Sequence, residues 1–252
     1  TVFVDDDGQA YLYWGNPNVY YAKLNADMVS LDGEVSKVEQ TIESFGSPGP
    51  DKREKGKKYK DIYTEGPWLH KRGGTYYLSY AAGGVPEHIA YSMSDTPTGP
   101  WKYMGEIMPL QDTGSFTNHC GVTDYKGNSY FFYHTGKLPG GGGFGRSVAV
   151  EQFSYNPDGT FPIINATTEG VSPVGTLTPY QRVEAETIAF SEGVKSEWNA
   201  KTGVYVSGIH DGDYIKVREV DFEDLSPKCL CVSVASALRG GWIEIRTDSI
   251  GG

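Results

Sequence analysis

One unit recurs three times along this chain: a short apolar strand, a polar turn containing glycine, and a strand dense in aromatic residues. Val2-Phe3-Val4 leads through Asp5-Asp6-Asp7-Gly8 into Gln9-Ala10-Tyr11-Leu12-Tyr13-Trp14. Pro67-Trp68-Leu69-His70 leads through Lys71-Arg72-Gly73-Gly74 into Thr75-Tyr76-Tyr77-Leu78-Ser79-Tyr80. Cys120-Gly121-Val122-Thr123 leads through Asp124-Tyr125-Lys126-Gly127-Asn128 into Ser129-Tyr130-Phe131-Phe132-Tyr133. Each pattern predicts a β-hairpin, because glycine supplies the left-handed turn and period-two alternation gives a strand one buried face. The turn glycines Gly8, Gly74 and Gly127 stand 66 and 53 residues apart. A further strand-like stretch follows each hairpin: Val19-Tyr20-Tyr21-Ala22, Ile89-Ala90-Tyr91-Ser92 and Ser147-Val148-Ala149-Val150. No segment keeps a helical apolar period for three turns. Repeats of about 50–65 residues made of three or four antiparallel strands predict propeller blades. Three blades do not close a ring, so the pattern predicts part of a propeller.

The pattern changes near residue 165. Asn165 to Pro179 is rich in Thr, Ser, Gly and Pro and reads as a linker. Beyond it lie Gly203-Val204-Tyr205-Val206-Ser207, Asp213-Tyr214-Ile215-Lys216-Val217, Cys231-Val232-Ser233-Val234-Ala235 and Trp242-Ile243-Glu244-Ile245-Arg246. Alternating strands at this spacing predict a β-sandwich. The chain is therefore divided into 1–165 (propeller), 166–180 (linker) and 181–252 (sandwich). The sandwich is expected to be partial, since it ends on the turn signal Ser249-Ile250-Gly251-Gly252 with no closing strand.

Composition narrows the function classes. Aromatics make up 13% of the 252 residues, a load that only a packed core accommodates. No run of about 18 apolar residues offers a membrane-spanning helix. A net charge of −10 repels nucleic-acid phosphates and anionic membranes, but not a neutral polysaccharide. Cys120, Cys229 and Cys231 form no zinc pattern or disulfide framework and are expected to be small buried thiols.

Four motifs bear on chemistry. Asp5-Asp6-Asp7-Gly8 fails calcium-loop spacing and reads as a tight turn. Gly140-Gly141-Gly142-Gly143 lacks the Gly-Lys-Ser/Thr of a phosphate loop; it predicts close backbone approach, with Arg146 just beyond as a surface charge or a ligand contact. Tyr63-Thr64-Glu65-Gly66-Pro67-Trp68 sets one carboxylate between aromatics and a Gly-Pro turn. Glu65 is either an exposed edge residue or a carboxyl in an apolar pocket, where desolvation raises its pKa and fits it to act as an acid in glycoside cleavage. His119 has no second histidine at metal-ligand spacing, so zinc is not expected.

These hairpins resemble glycoside hydrolase family 43. So do Thr64-Glu65-Gly66-Pro67, Asn118-His119, and His134-Thr135-Gly136-Lys137-Leu138-Pro139 through Gly143 to Arg146-Ser147-Val148. The likeness covers roughly residues 1–165, and the glycine loop ending in Arg-Ser-Val is most similar to members acting on arabinoxylan. From Val183-Glu184-Ala185-Glu186 onward the chain resembles a family 6 carbohydrate-binding module. The resemblance implies an all-β chain: three recognisable blades of a five-bladed β-propeller, then a jelly-roll-like β-sandwich. It implies an inverting glycoside hydrolase that removes xylose or arabinofuranose from xylan or arabinoxylan, of the α-L-arabinofuranosidase/β-xylosidase type. Glu65 matches the general acid, and Asn118, His119 and Arg146 match substrate-binding positions. His119 also matches a position that touches a bound calcium through water, and Glu184 and Glu186 match a pair that helps hold structural calcium in the module. No organic cofactor is implied.

The implied partners are plant cell-wall polysaccharide, arabinoxylan and xylo-oligosaccharides, with no nucleic acid and no membrane. The implied location is secreted, periplasmic or cell-surface in a bacterium. The family's general-base Asp and its pKa-tuning Asp match positions before Thr1, so the chain is expected to be incomplete and inactive alone. Ile209 stands where the module's sugar clamp has an aromatic, which leaves Trp198, Tyr205 and Trp242 for stacking. The alternative from another class is a non-catalytic carbohydrate-binding protein on the same folds. A retaining sucrose-type or inulin-type glycosidase on a related propeller is a third reading.

Overall fold

All three turn glycines occupy the left-handed backbone region that hairpin turns require: φ is +86° at Gly8, +87° at Gly74 and +81° at Gly127. The computed structural model describes residues 1–46, 62–138, 140–237, 240–249 and 251. Pro139 of the glycine loop and Ile250 and Gly252 of the terminal turn, named above, lie outside the described residues.

The first sheet runs β1 (Val2–Val4), β2 (Ala10–Trp14), β3 (Tyr20–Leu24) and β4 (Leu31–Lys37) in spatial order β1-β2-β3-β4. A single helical turn, α1 (Ile42–Phe45), is capped by Thr41, which accepts from the Ser44 backbone N–H. The second sheet is β5 (Tyr63–Arg72), β6 (Thr75–Ala82), β7 (His88–Ser94) and β8 (Lys102–Met108), again in sequence order. The third is β9 (Gly121–Tyr125), β10 (Asn128–Thr135) and β11 (Ser147–Phe153), ordered β11-β10-β9. All three are antiparallel meanders, the construction of propeller blades. The outer strands β4 and β8 were not read from sequence. β4 (LDGEVSK) is almost wholly exposed, so no buried face writes an apolar period into it.

The blades pack through aromatics. Tyr76, Leu78 and Tyr80 on one face of β6 join Tyr13, Phe45, Tyr63 and Trp101 in a cluster between the first and second sheets. Tyr77 and Ala81 on the opposite face join Tyr91, Phe131, Tyr133 and Phe161 between the second and third. Burying each large side chain contributes roughly 1.5–3 kcal/mol. The phenol hydroxyls are satisfied locally: Tyr13 donates to the Pro97 carbonyl at 2.7 Å and Tyr77 to that of Gly159 at 2.8 Å. The Asp5–Gly8 turn is also a clamp, since Lys71 Nζ reaches Asp5 and Asp6 at 2.7 and 2.8 Å.

The chain divides into two compact units, Thr1–Ser172 and Pro173–Gly252. The stretch expected as a linker starts out strapped to the propeller. Ile164 is buried, Ala166 N donates to Gln111 Oε1 at 2.7 Å, and Thr167 N donates to Glu151 Oε1 at 2.7 Å. The second unit has β12 (Phe190–Glu192), β13 (Lys195–Asn199), β14 (Gly203–Ser207) and β15 (Tyr214–Lys216), paired as β12–β15 and β13–β14. The strands expected at Cys231–Ala235 and Trp242–Arg246 are not formed: a strand exists through its hydrogen-bonded neighbour, and these segments have none among the described residues. The expectation of three buried thiols holds only for Cys120; Cys229 and Cys231 are exposed.

Candidate active site

Glu65 stands on β5 at a fault in the ladder. The β5–β6 register slips on both sides of it, between Tyr63 and Glu65 and again between Glu65 and Trp68. Gly66 there takes φ +63°, and Pro67 contributes no N–H to a ladder. A bulge of this kind turns a side chain out of the pleat. It delivers Glu65 to a cleft of about 340 Å³ whose walls include Trp14, Trp68 and His119.

Three groups meet the Glu65 carboxylate, the third being the Glu87 side chain. Asn16, in the loop between β2 and β3, donates to Oε2 at 2.7 Å, and His119 Nε2 lies 3.3 Å from Oε1. The His119 imidazole stacks on His134, ring centroids 5.2 Å apart, while His119 N donates to His134 Nδ1 at 3.3 Å. Burial first, then the charges of His119 and Arg146, push the His134 pKa down. Glu87, buried at 5% exposure, completes the group: one ligating atom each from Glu65, Glu87 and His119 lie within 4.8 Å of one another.

The expected raised pKa of Glu65 is corrected. Burial does push it up, but the carboxyl keeps 28% exposure, and the Asn16 hydrogen bond, the His119 contact and the Glu87 hydrogen bond together outweigh desolvation. The net shift is below the ordinary carboxylate value, because all three contacts favour the charged form.

Asn118 is 5% exposed and its amide is turned inward: Oδ1 accepts from His134 N at 3.0 Å and Nδ2 reaches Met108 Sδ at 3.4 Å. That orientation braces the β10 strand and does not present the amide to a sugar. Arg146 Nη1 donates to Thr117 Oγ1 at 2.6 Å. It reaches the site through Thr117 and His134 and does not line the Glu65 cleft. The glycine run is used as expected, for close approach. Gly143 N donates to the Gly114 carbonyl at 2.9 Å, and a Cβ on Gly143 would come within 3.3 Å of the Phe116 ring.

In the second unit, Glu184 is exposed and held by Arg182, at 2.8 Å from Nε and 3.0 Å from Nη2. Glu184 and Glu186 join no three-ligand group among the described residues. Calcium takes six to eight oxygen donors. Around His119 the described chain offers two carboxylates and one nitrogen, and one of those carboxylates is Glu65. Among the described residues neither place supplies a full set of direct oxygen ligands, and the contact expected of His119 is one through water. Trp198 and Trp242 are 69% and 96% exposed, and Tyr205 donates to Glu197 at 3.0 Å.

Sequence reasoning missed Asn16, Glu87 and His134. His134 was inside a quoted motif and carried no separate signal. Asn16 reaches Glu65 only through the stacking of blades, and Glu87 meets it across the sheet of one blade, from the start of β7.

The family model of glycosyl hydrolases family 43 matches residues 1–161, and that of carbohydrate binding module (family 6) matches residues 184–252. The chain belongs to glycosyl hydrolases family 43. Over 290 residues it is 32% identical to the arabinoxylan arabinofuranohydrolase of Bacillus subtilis (strain 168), an alignment covering 100% of this chain and 52% of that protein. The crystal structure of a family 43 arabinoxylan arabinofuranohydrolase from Bacillus subtilis in complex with cellotetraose superposes with a TM-score of 0.62 at 30% identity, covering 85% of this chain and 47% of that one. A family 43 β-xylosidase/α-arabinofuranosidase from a compost microbial metagenome, solved with xylotriose in a calcium-free form, gives 0.53 at 28%, covering 65% and 56%. The chain spans about half the length of these relatives. Three blades of the family's propeller are therefore present, and among the described residues no helix is long and apolar enough to cross a membrane.

Proposed function

We propose that the protein is an inverting glycoside hydrolase that removes arabinofuranose or xylose units from xylan or arabinoxylan, with Glu65 as its general acid. The observation that carries this reading is the bulge at Glu65-Gly66-Pro67. It spends ladder hydrogen bonds to aim one carboxyl into a cleft walled by Trp14 and Trp68, rings suited to the apolar face of a sugar. In the proposed reaction a water oxygen bonds to the anomeric carbon as the glycosidic C–O bond breaks. The Glu65 proton passes to the departing oxygen, and a base carboxylate on the opposite face takes the water's proton. A bound sugar expels water from the part-exposed Glu65 carboxyl and so raises its pKa toward the acid's working range.

His119 fixes one oxygen of Glu65 and Asn16 the other. Arg146 supports the site from behind, through Thr117. We assign 1–165 to the hydrolase domain, 166–180 to the connection and 181–252 to the carbohydrate-binding module, and place the protein outside the cell, where a plant cell-wall polymer is accessible.

One observation favours the binding-only reading: the Glu65 pKa is low, as suits a carboxylate that merely accepts sugar hydroxyls. The two separate in one experiment. The full-length protein is incubated with arabinoxylan and the anomers released are followed by proton NMR. Arabinose or xylose appearing first as the inverted anomer supports the hydrolase. Binding without any release supports the alternative.

A further inference from the structure

Resting on the assignment of Glu65 as the acid, we propose that Glu87 is a positioning residue: it grips the Phe116–Asn118 segment from both ends and so sets the His119 imidazole against Glu65. The grip is made by one residue in two ways. Glu87 N donates to the Phe116 carbonyl at 3.0 Å, and Glu87 Oε2 accepts from Asn118 N at 2.8 Å. Thr117 lies between these anchors, and His119 follows directly.

The segment needs such a grip because no ladder holds it. β9 begins only at Gly121, so His119 sits in irregular backbone where strand pairing does not fix its direction. Its ring is aimed by the contacts around it: Gly66 beneath, His134 stacked on it, and Asn118 tied to His134 N. Asn118 N–H and the Glu87 side chain are both buried, so loss of the Glu87 oxygen would leave that N–H without water or another acceptor to replace it. A carboxylate so placed is retained where its hydrogen bonds make the burial tolerable. The Glu87 carboxylate is also one of the three groups converging within 4.8 Å, so the residue holding the loop stands beside the acid itself.

The test compares Glu87→Met, similar in size with no oxygen acceptor, and Glu87→Gln, which keeps an acceptor, in the full-length enzyme. The Met variant should lose about 10–100-fold in kcat on substrates with poor leaving groups, where protonation by the acid limits the rate, with KM changed by less than about threefold. Aryl glycosides with activated leaving groups should lose less than about threefold. The Gln variant should recover most of the lost kcat. Equal loss on both substrate types, or a Gln variant no better than Met, overturns the proposal. Should the Met variant not fold, as judged by near-UV circular dichroism, Glu87→Asp serves instead. Its shorter arm cannot reach Asn118 N in place, so it should show the same selective loss, and wild-type kcat in it overturns the proposal. Glu65→Gln is assayed alongside. If it leaves kcat unchanged on every substrate, the acid assignment fails; if it shows the selective loss while the Glu87 variants do not, only the role of Glu87 fails.

Discussion

The His119 imidazole occupies the space that a side chain on Gly66 would take: a Cβ built there comes within 2.9 Å of the ring. Gly66 also has φ +63°, a conformation that costs an L-residue about 1 kcal/mol. Gly66→Ala should therefore displace the ring from Glu65 while leaving the blade intact. We expect a kcat loss of about 10–100-fold on poor leaving groups, within the span of acid catalysis, and a stability loss of about 1–3 kcal/mol. Steady-state kinetics paired with urea unfolding checks both, and an unchanged kcat would show that the His119 contact is idle.

Glu65→Gln keeps the shape of the side chain and removes the transferable proton. The expected loss is about 10²–10⁴-fold in kcat on natural linkages, with far less on activated aryl glycosides. Uniform loss across leaving groups would point to a folding defect, which circular dichroism would reveal.

Arg146 acts through Thr117, where one guanidinium nitrogen donates at 2.6 Å. Arg146→Lys retains the charge and loses the planar fork. The expected result is a KM raised about 3–10-fold on oligosaccharides, with kcat within about threefold, because a slackened support disturbs sugar binding more than proton transfer. Initial-rate measurements over a xylo-oligosaccharide series decide it.

His70 predicts a pH limb. Its ring stacks on Tyr77 at 4.8 Å, Nε2 meets the Tyr155 hydroxyl at 3.0 Å, and burial pushes its pKa down to about 4. Nearby Asp124 pulls the other way, and Arg72 reinforces the shift. The folded state thus binds the proton later than the unfolded chain does. Stability is full above about pH 6.5 and falls as pH drops toward 4, by about 2–3 kcal/mol. His70→Phe keeps the stack and should flatten that limb, as read from urea midpoints at pH 5 and pH 7.

Much of the propeller was legible because its inner strands repeat one signal, aromatic alternation behind a glycine turn, that only a buried hairpin needs. The edge strands carried no such signal: β8 reads KYMGEIM and β4 is bathed in solvent. The Thr-Glu-Gly-Pro motif left Glu65 open between an edge residue and a pocket carboxyl, and only the family resemblance singled it out as the acid; the ladder fault that aims it is visible in the structure alone. Its pKa direction was not legible, because Asn16 meets it from 49 residues away. Glu87 was silent for the same reason: Val85-Pro86-Glu87-His88 reads as any turn before a strand, and only the arrival of Asn118 from the next blade gives the carboxylate its work. In the second unit, Trp242-Ile243-Glu244-Ile245-Arg246 alternates as a strand should, but alternation describes a face and does not supply the neighbouring chain that makes it one.

β6 has no solvent side. Tyr76, Leu78 and Tyr80 serve one interface and Tyr77 and Ala81 the other, so a substitution at any of them is felt between one pair of blades or the next. Such a strand has almost no neutral positions, and a lineage changing its sugar preference gains little by altering it. The bulged start of β5 and the glycine-zipped loop beside Phe116 are not locked on two faces in this way. New specificities within this architecture should therefore arise by trading loop residues around a blade that stays nearly constant.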